Sequence, residues 1–156
     1  MRQIILDTET TGLSAANGDR IIELGCVEMV NRKFTGRNLH FYFNPERDSH
    51  EDALKVHGIS NEFLRDKPKF GELSAEIIGY LGGAELIIHN AAFDVGFLDK
   101  ELELIGQPAL KTFVSGVIAC GNLLYFQHDK LAQLVGSVFG SVLSGLLIKL
   151  TRCPKV

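Results

Sequence analysis

The first part of the chain carries three apolar runs whose composition and alternation predict β-strands. The runs cover residues 3–8, 20–30 and 37–43, and the Asn44-Pro45 pair ends the third one. The middle run is apolar on both faces, which is typical of a strand buried inside a sheet. The pattern therefore predicts three antiparallel strands joined by polar turns.

A second group of segments is dominated by helical spacing. Helices are predicted at residues 51–57, 60–65, 70–81 and 91–105, with a further strand at 85–88. The third of these helices has an apolar stripe and stops at Gly82 and Gly83. Because helices separate the third strand from the fourth, the connection is predicted to be a crossover that lays the fourth strand parallel to the first. The chain is therefore predicted to be an α/β protein with a mixed sheet, three antiparallel strands plus parallel strands, flanked by helices.

Length, charge and cysteines set broad limits. A chain of 156 residues suits one domain with a buried core. A formal net charge of −3 is unfavourable for a general DNA-binding protein, because phosphate contacts need positive charge. The three cysteines have neither the spacing of a metal site nor an even number for disulfides. Since strand-like sequence rather than a signal peptide begins the chain, the expected location is the cytoplasm.

Two acidic residues mark the end of the first predicted strand. Asp7 and Glu9 directly follow the apolar residues 4–6, and alternate residues of a strand share a face, so both carboxylates point the same way. Like charges at this spacing repel each other unless a cation joins them, and Mg²⁺ and Mn²⁺ prefer oxygen ligands. The pair is a candidate metal site, with two solvated acids at a strand end as the ordinary alternative.

A third acid follows the fourth strand. Asp94 ends the segment His-Asn-Ala-Ala-Phe-Asp at residues 89–94, which opens a helix with Asn90 at a position that suits an N-cap. Taken alone, Asp94 is an acid stabilised by the helix dipole. If the fourth strand lies beside the first, however, three carboxylates meet in one cleft, which is costly without a metal.

Together these segments resemble the DEDD-type 3′–5′ exonucleases, and among them the proofreading exonucleases of bacterial replicative polymerases. The resemblance rests on residues 5–12 (Ile-Leu-Asp-Thr-Glu-Thr-Thr-Gly), 56–59 (Val-His-Gly-Ile) and 89–94, in that order, and residues 20–25 fit the family's second strand. It covers about residues 2–118. It implies a ribonuclease H-like fold.

The resemblance also implies a phosphodiesterase that uses two divalent ions, Mg²⁺ or Mn²⁺. It assigns Asp7, Glu9 and Asp94 to those ions, with Asp7 bridging both. The residues that it assigns to the terminal nucleotide are Thr8, Thr10, Thr11, Gly12, Leu13, His57, Asn90 and Phe93. The implied partners are a single-stranded or frayed DNA 3′ end, the catalytic subunit of a replicative polymerase and a small accessory subunit, with no membrane.

The family's third motif, a histidine and an aspartate five residues apart on a late helix, is not found in the sequence. After residue 111 only His128 and Asp129 could serve, and they are adjacent. The predicted site therefore lacks its fourth acid and its general base. Two function classes stay open: a metal-dependent exonuclease with impaired activity, and a defective homologue that only binds a polymerase. A different two-metal nuclease of the same fold, such as an RNA-trimming enzyme, is a third.

The composition changes in the same region. Residues 1–111 hold 18 of the 19 acids and 12 of the 16 bases, and residues 131–148 hold no charge. This tail could be a membrane-spanning segment, an alternative helix that covers the sheet, or the product of a shifted reading frame near residue 119. We favour the frame shift as a hypothesis. It divides the chain into an exonuclease core at 1–118 and an atypical tail at 119–156.

Overall fold

The apolar runs form a mixed sheet in a computed structural model that describes residues 1–119. The six strands in this part of the chain are β1 (Arg2–Thr10), β2 (Ile21–Val30), β3 (Lys33–Phe34), β4 (Leu39–Tyr42), β5 (Glu85–Ile88) and β6 (Gly116–Ala119). Their order is β3-β2-β1-β5-β6, and β4 pairs with β2. β1 is antiparallel to β2 and parallel to β5, so the predicted fold class is confirmed.

Residues 1–119 contain four α-helices: α1 (Glu51–His57), α2 (Asn61–Arg65), α3 (Phe70–Leu81) and α4 (Ala91–Leu104). Leu64 of α2 lies with Ile22 and Ile59 in an apolar cluster separate from the main core. The apolar stripes of α3 and α4 pack against alternate residues of β1, β2 and β5 in one continuous core, which includes Leu6, Leu24, Ile88, Ile77 and Leu98. Each side chain buried in this way contributes roughly 1.5–3 kcal/mol relative to an exposed one. The burial favours one register of the strands, because a slip of one residue would move core-facing side chains such as Leu6 and Leu24 to the opposite face of the sheet.

The parallel pairing of β1 and β5 places the predicted site. Leu6 lies opposite Ile88 at the end of this ladder. Because both strands run in the same direction, the residues that follow them emerge at the same edge of the sheet. The crossover through α1, α2 and α3 therefore brings the start of α4 to the exit of β1, as the element order predicted.

Two short strands are absent from the sequence prediction. β3 follows a tight turn in which Asn31 and Arg32 have φ angles of 51° and 64°. The predicted turn is therefore present, but β3 has only two residues, which is too short to show an alternating pattern. β6 pairs in parallel with β5, yet Val117 and Ile118 are 40% and 39% exposed. Its residues Val-Ile-Ala are apolar, and its position as a strand depends on the pairing with β5 rather than on a local pattern.

The hypotheses for the tail concern residues 120–156, which lie outside the described part of the chain. Within residues 1–119, no helix is long and apolar enough to cross a membrane.

Candidate active site

β1 carries two of the three predicted carboxylates to the edge of the sheet. Asp7 lies opposite Gly25 and Glu9 opposite Glu23 in the pairing with β2, and the register shifts between Glu9 and Thr10. Asp7 and Glu9 are 2% and 8% exposed. Both therefore belong to the folded interior at the point where β1 leaves the sheet.

α4 brings the third carboxylate to the same place. Asp94 is 2% exposed, and its Oδ1 accepts hydrogen bonds from the backbone N–H of Thr8 at 3.1 Å and from the Thr8 hydroxyl at 2.7 Å. Thr8 stands between Asp7 and Glu9 in the chain, so these hydrogen bonds attach the start of α4 to the segment of β1 that carries both acids. Asn90 occupies the N-cap position as predicted, but its side chain makes no capping hydrogen bond.

A cavity of about 1080 Å³ opens at this edge of the sheet. It is lined by two of the three acids, Glu9 and Asp94. Most residues that the resemblance assigned to the terminal nucleotide line it as well: Thr8, Thr10, Gly12, Leu13, His57, Asn90 and Phe93. Asp7 and Thr11 are not among the lining residues, and Thr11 is fully buried. Most of the predicted site residues therefore line one cleft, and Asp7 and Thr11 are buried residues that do not line it.

Thr11 connects the exit of β1 to the start of β2. Its backbone N–H donates to the carbonyl of Arg20 at 2.9 Å, and its hydroxyl oxygen accepts a hydrogen bond from the Arg20 N–H at 3.0 Å. The same hydroxyl donates to Asp19 at 3.2 Å. These contacts hold the loop between the two strands. A direct role of Thr11 in nucleotide binding stays a prediction.

Asp19 is a site residue that sequence reasoning missed. Its carboxylate is 4% exposed and accepts hydrogen bonds from the Ser14 N–H at 3.0 Å and from the hydroxyl of Thr11. His50 and Arg47 lie 3.1 Å and 3.3 Å away. Burial pushes the pKa of Asp19 upward, but the hydrogen bonds from Ser14 and Thr11 and the charges of Arg47 and His50 hold it below its ordinary value. Asp19 therefore anchors the loop that forms one cavity wall.

His50 completes that wall. No motif surrounds it in the sequence and its side chain is 59% exposed, and the residue lines the cavity with its ring in contact with Asp19. A side-chain carbon at Gly12 would overlap both Asp19 and the His50 ring, so the chain can pass between them only as glycine. The contact between positions 19 and 50 is set by tertiary structure, and no local pattern could have revealed it.

His57 presents a defined imidazole tautomer. Its Nδ1 accepts a hydrogen bond from the Ile59 N–H at 3.0 Å, so the ring proton of the neutral form sits on Nε2. Burial lowers the pKa of His57, and the negative charge of Glu23, which raises it, offsets only part of this effect. The buried Nε2 of His57 and Nδ1 of His89 have no hydrogen-bond partner in residues 1–119. Both residues line the cavity.

A further histidine lies close to the candidate site. The side chain of His40 is 25% exposed, and its Nε2 lies 2.7 Å from the fully buried Glu23. Glu23 is the residue opposite Glu9 in the β1–β2 pairing. The sheet therefore places a further acid and an imidazole next to the candidate site, on neighbouring strands.

The donor chemistry of the site fits a hard divalent ion, because Asp7, Glu9 and Asp94 all supply carboxylate oxygens and are held around one residue. The arrangement is not a finished metal site. Residues 1–119 contain no group of three or more His, Cys, Asp or Glu side chains that could hold a metal ion as they stand. The roles of the three acids therefore stay a prediction.

Comparison with known proteins agrees with the fold and with the order of the motifs. The family model for exonucleases named RNase_T matches residues 4–134, which extends beyond residue 118. The chain is 53% identical over 111 residues to a Rickettsia felis protein named DNA polymerase III subunit epsilon, covering 71% of this chain and 48% of that protein. For the Escherichia coli K12 protein of the same name, identity is 52% over 115 residues, covering 71% and 47%.

The chain thus spans about half the length of the curated relatives that it matches. Among solved structures, it resembles Escherichia coli exonuclease I in a zinc-bound complex with single-stranded DNA and in a complex with a dA16 oligonucleotide. Both have a TM-score of 0.71, at 15% and 16% identity, and cover 84% of this chain and 30% of that chain. At this identity the likeness shows the ribonuclease H-like fold alone. The family match and the relatives show that the chain belongs to the exonuclease family, as the predicted resemblance to DEDD-type proofreading exonucleases required.

Proposed function

We propose that the chain contains the catalytic domain of a metal-dependent 3′–5′ exonuclease that removes mismatched nucleotides from DNA 3′ ends during replication. The observation that carries this proposal is the hydrogen bonding of Asp94 to Thr8, between the two acids of β1, at a cavity lined by Glu9 and Asp94. The relatives named DNA polymerase III subunit epsilon support the substrate and a replicase partner. By the same likeness the protein acts in the cytoplasm, with a polymerase catalytic subunit and a small accessory subunit.

Asp7, Glu9 and Asp94 would hold two divalent ions, Mg²⁺ or Mn²⁺. Such ions, when bound, neutralise charge on the scissile phosphate and make a water molecule a better nucleophile. The contribution of the chain is to orient these carboxylates. Thr8 does this for Asp94 through two hydrogen bonds, and the β-pairing with β2 does it for Asp7 and Glu9.

The cavity would bind the terminal nucleotide. His57 would donate its Nε2 proton to an acceptor on the nucleotide, since its Nδ1 is already occupied. The ring of Phe93 is held against Phe97, with centroids 4.8 Å apart, and offers an aromatic surface for a base. Leu13 is 87% exposed at the cavity. A mismatched end reaches such a site more easily, because unpairing it costs less.

We further propose that residues 1–118 form the exonuclease core and that activity in this chain is impaired. The only histidine and acid after residue 111 are the adjacent His128 and Asp129, which do not match the third motif of the family. Loss of a metal ligand and of the base should lower the rate by several orders of magnitude. The alternative is a non-catalytic homologue that retains only polymerase binding, and the same missing motif favours it.

The test is release of nucleotides from a 3′-mismatched and a fully paired DNA primer, in Mg²⁺ and in Mn²⁺. The whole chain is compared with Asp7→Ala and with a chimaera whose tail carries the family's third motif. We expect slow release that Asp7→Ala abolishes, faster release by the chimaera, and preference for the mismatched primer. Release by neither the chain nor the chimaera would refute the enzymatic proposal, and equal release by both would refute the impairment.

A further inference from the structure

A buried ion pair connects α4 to the start of β2. Glu101 is 2% exposed, and its two oxygens accept hydrogen bonds from the Arg20 guanidinium at 2.8 Å and 2.7 Å. One of these oxygens also accepts from the backbone N–H of Ile21 at 3.1 Å. The hydrogen bond to Glu101 raises the pKa of Arg20, so the guanidinium stays charged. A two-pronged pair of this kind fixes orientation as well as distance.

Arg20 is in turn joined to the backbone that leaves β1. Its carbonyl and its N–H are both hydrogen-bonded to Thr11, at 2.9 Å and 3.0 Å. Thr11 comes two residues after Glu9, just beyond the point where the register of β1 shifts. Glu101 therefore holds α4 against the same short stretch of backbone that presents the acids of β1.

Asp94 and Glu101 attach α4 at two separate points. They are seven residues apart, which is about two helical turns, so they lie on the same face of α4 and are about 10.5 Å apart along its axis. Asp94 contacts Thr8 and Glu101 contacts Arg20 and Ile21. In addition to the apolar packing of α4 in the core, these two polar contacts restrain the orientation of the helix relative to β1.

We propose that the Arg20–Glu101 ion pair is a positioning element for the candidate metal site, which sets where Asp94 stands relative to Asp7 and Glu9. Neither Arg20 nor Glu101 is among the cavity-lining residues in the described part of the chain, so they act through α4 and not on the substrate. The metal half of this inference rests on the proposed function. Residues that orient metal ligands typically change metal affinity about 10- to 100-fold when they are altered.

Glu28 provides a matched control. It is 1% exposed and accepts hydrogen bonds from Arg2 at 2.6 Å and from Arg37 at 2.8 Å, so it is also a buried acid held by arginine. It lies opposite Ile4, near the other end of β1, and does not line the cavity. Glu28→Gln and Glu101→Gln thus make the same chemical change at similar burial. Glu28 is far from the candidate site, whereas Glu101 is close to it.

The first readout needs no metal. The exchange rate of the Thr8 amide proton, measured by NMR on the metal-free whole chain, reports the hydrogen bond between Thr8 and Asp94. We expect Glu101→Gln to speed this exchange at least tenfold over the unaltered chain, and Glu28→Gln to leave it unchanged. Arg20→Lys keeps the positive charge but loses the two-pronged hydrogen bonding, so it should also speed the exchange of the Thr8 amide proton. It serves as the test variant if Glu101→Gln does not fold. Equal exchange in the Glu101 and Glu28 variants would overturn the inference.

The second readout is Mn²⁺ affinity, measured from the EPR signal of free Mn²⁺ during titration of the whole chain. We expect Glu101→Gln and Arg20→Lys to raise the Kd about 10- to 100-fold, and Glu28→Gln to leave it unchanged. Unaltered affinity in the Glu101 and Arg20 variants would overturn the inference and leave the proposed function standing. If the unaltered chain and Asp7→Ala bound Mn²⁺ equally, the proposed function would fail. The exchange rate of the Thr8 amide proton would then still test whether the Arg20–Glu101 pair positions Asp94.

Discussion

Replacing Thr8 by valine removes the side-chain hydrogen bond that fixes Asp94 while keeping the shape of the residue. The hydroxyl of Thr8 donates to the Asp94 carboxylate at 2.7 Å, and both residues are buried. A hydrogen bond to a charged group contributes about 1.5–3 kcal/mol. We expect the free energy of unfolding of Thr8→Val to fall by about that amount, because the backbone N–H of Thr8 remains as a donor and only one of its two bonds to Asp94 is lost.

Thr10 supplies the comparison for this prediction. Its buried hydroxyl donates to the carbonyl of Gly12 at 2.6 Å, which is an uncharged acceptor. Thr10→Val should therefore cost only about 0.5–1.5 kcal/mol. Urea denaturation of both variants at pH 7, with Thr8→Ser as a variant that retains the hydroxyl, measures the difference. The reasoning would be refuted if Thr8→Val cost no more than Thr10→Val, or if Thr8→Ser cost as much as Thr8→Val.

Two further predictions concern the walls of the cavity. Gly12→Ala should push Asp19 and His50 apart, since a side-chain carbon overlaps both; thermal unfolding should show a lower Tm, and an unchanged Tm would contradict the packing. For His57, burial lowers the pKa in the folded state below 6.5, so the unfolded chain binds more protons and stability should fall as the pH drops from about 6.5. His57→Asn should flatten that dependence in urea titrations between pH 7 and pH 5, and an equally steep profile would show that His57 is not its source.

The parts of the fold that were predictable are those with a local cause. β1 and β5 contain the short apolar runs 4–6 and 86–88, α3 has an apolar stripe that ends at Gly82, and Asp7 and Glu9 share a face through strand alternation. The parallel placement of β5 followed from the crossover through the helices. The sequence alone therefore predicted that Asp94, which follows β5, lies near β1.

The parts that were missed depend on contacts between distant positions. Asp19 meets His50 across 31 positions and Arg20 meets Glu101 across 81, and nothing local distinguishes these residues from surface charges. β6 was also missed, although its residues Val-Ile-Ala are apolar, because its place beside β5 depends on parallel pairing with a strand that is distant in sequence. Ion pairs and edge strands of this kind are set by the completed tertiary structure.

The proposed function requires Asp7, Glu9 and Asp94 to bind divalent ions at the exit of β1. The measurement that tests this most directly is an anomalous-scattering map at the manganese edge, from crystals of the whole chain grown with Mn²⁺. The account predicts manganese bound to the carboxylates of these three residues, and no such peak in crystals of Asp7→Ala. Crystals without manganese at these carboxylates, or with the same peak in the variant, would contradict it.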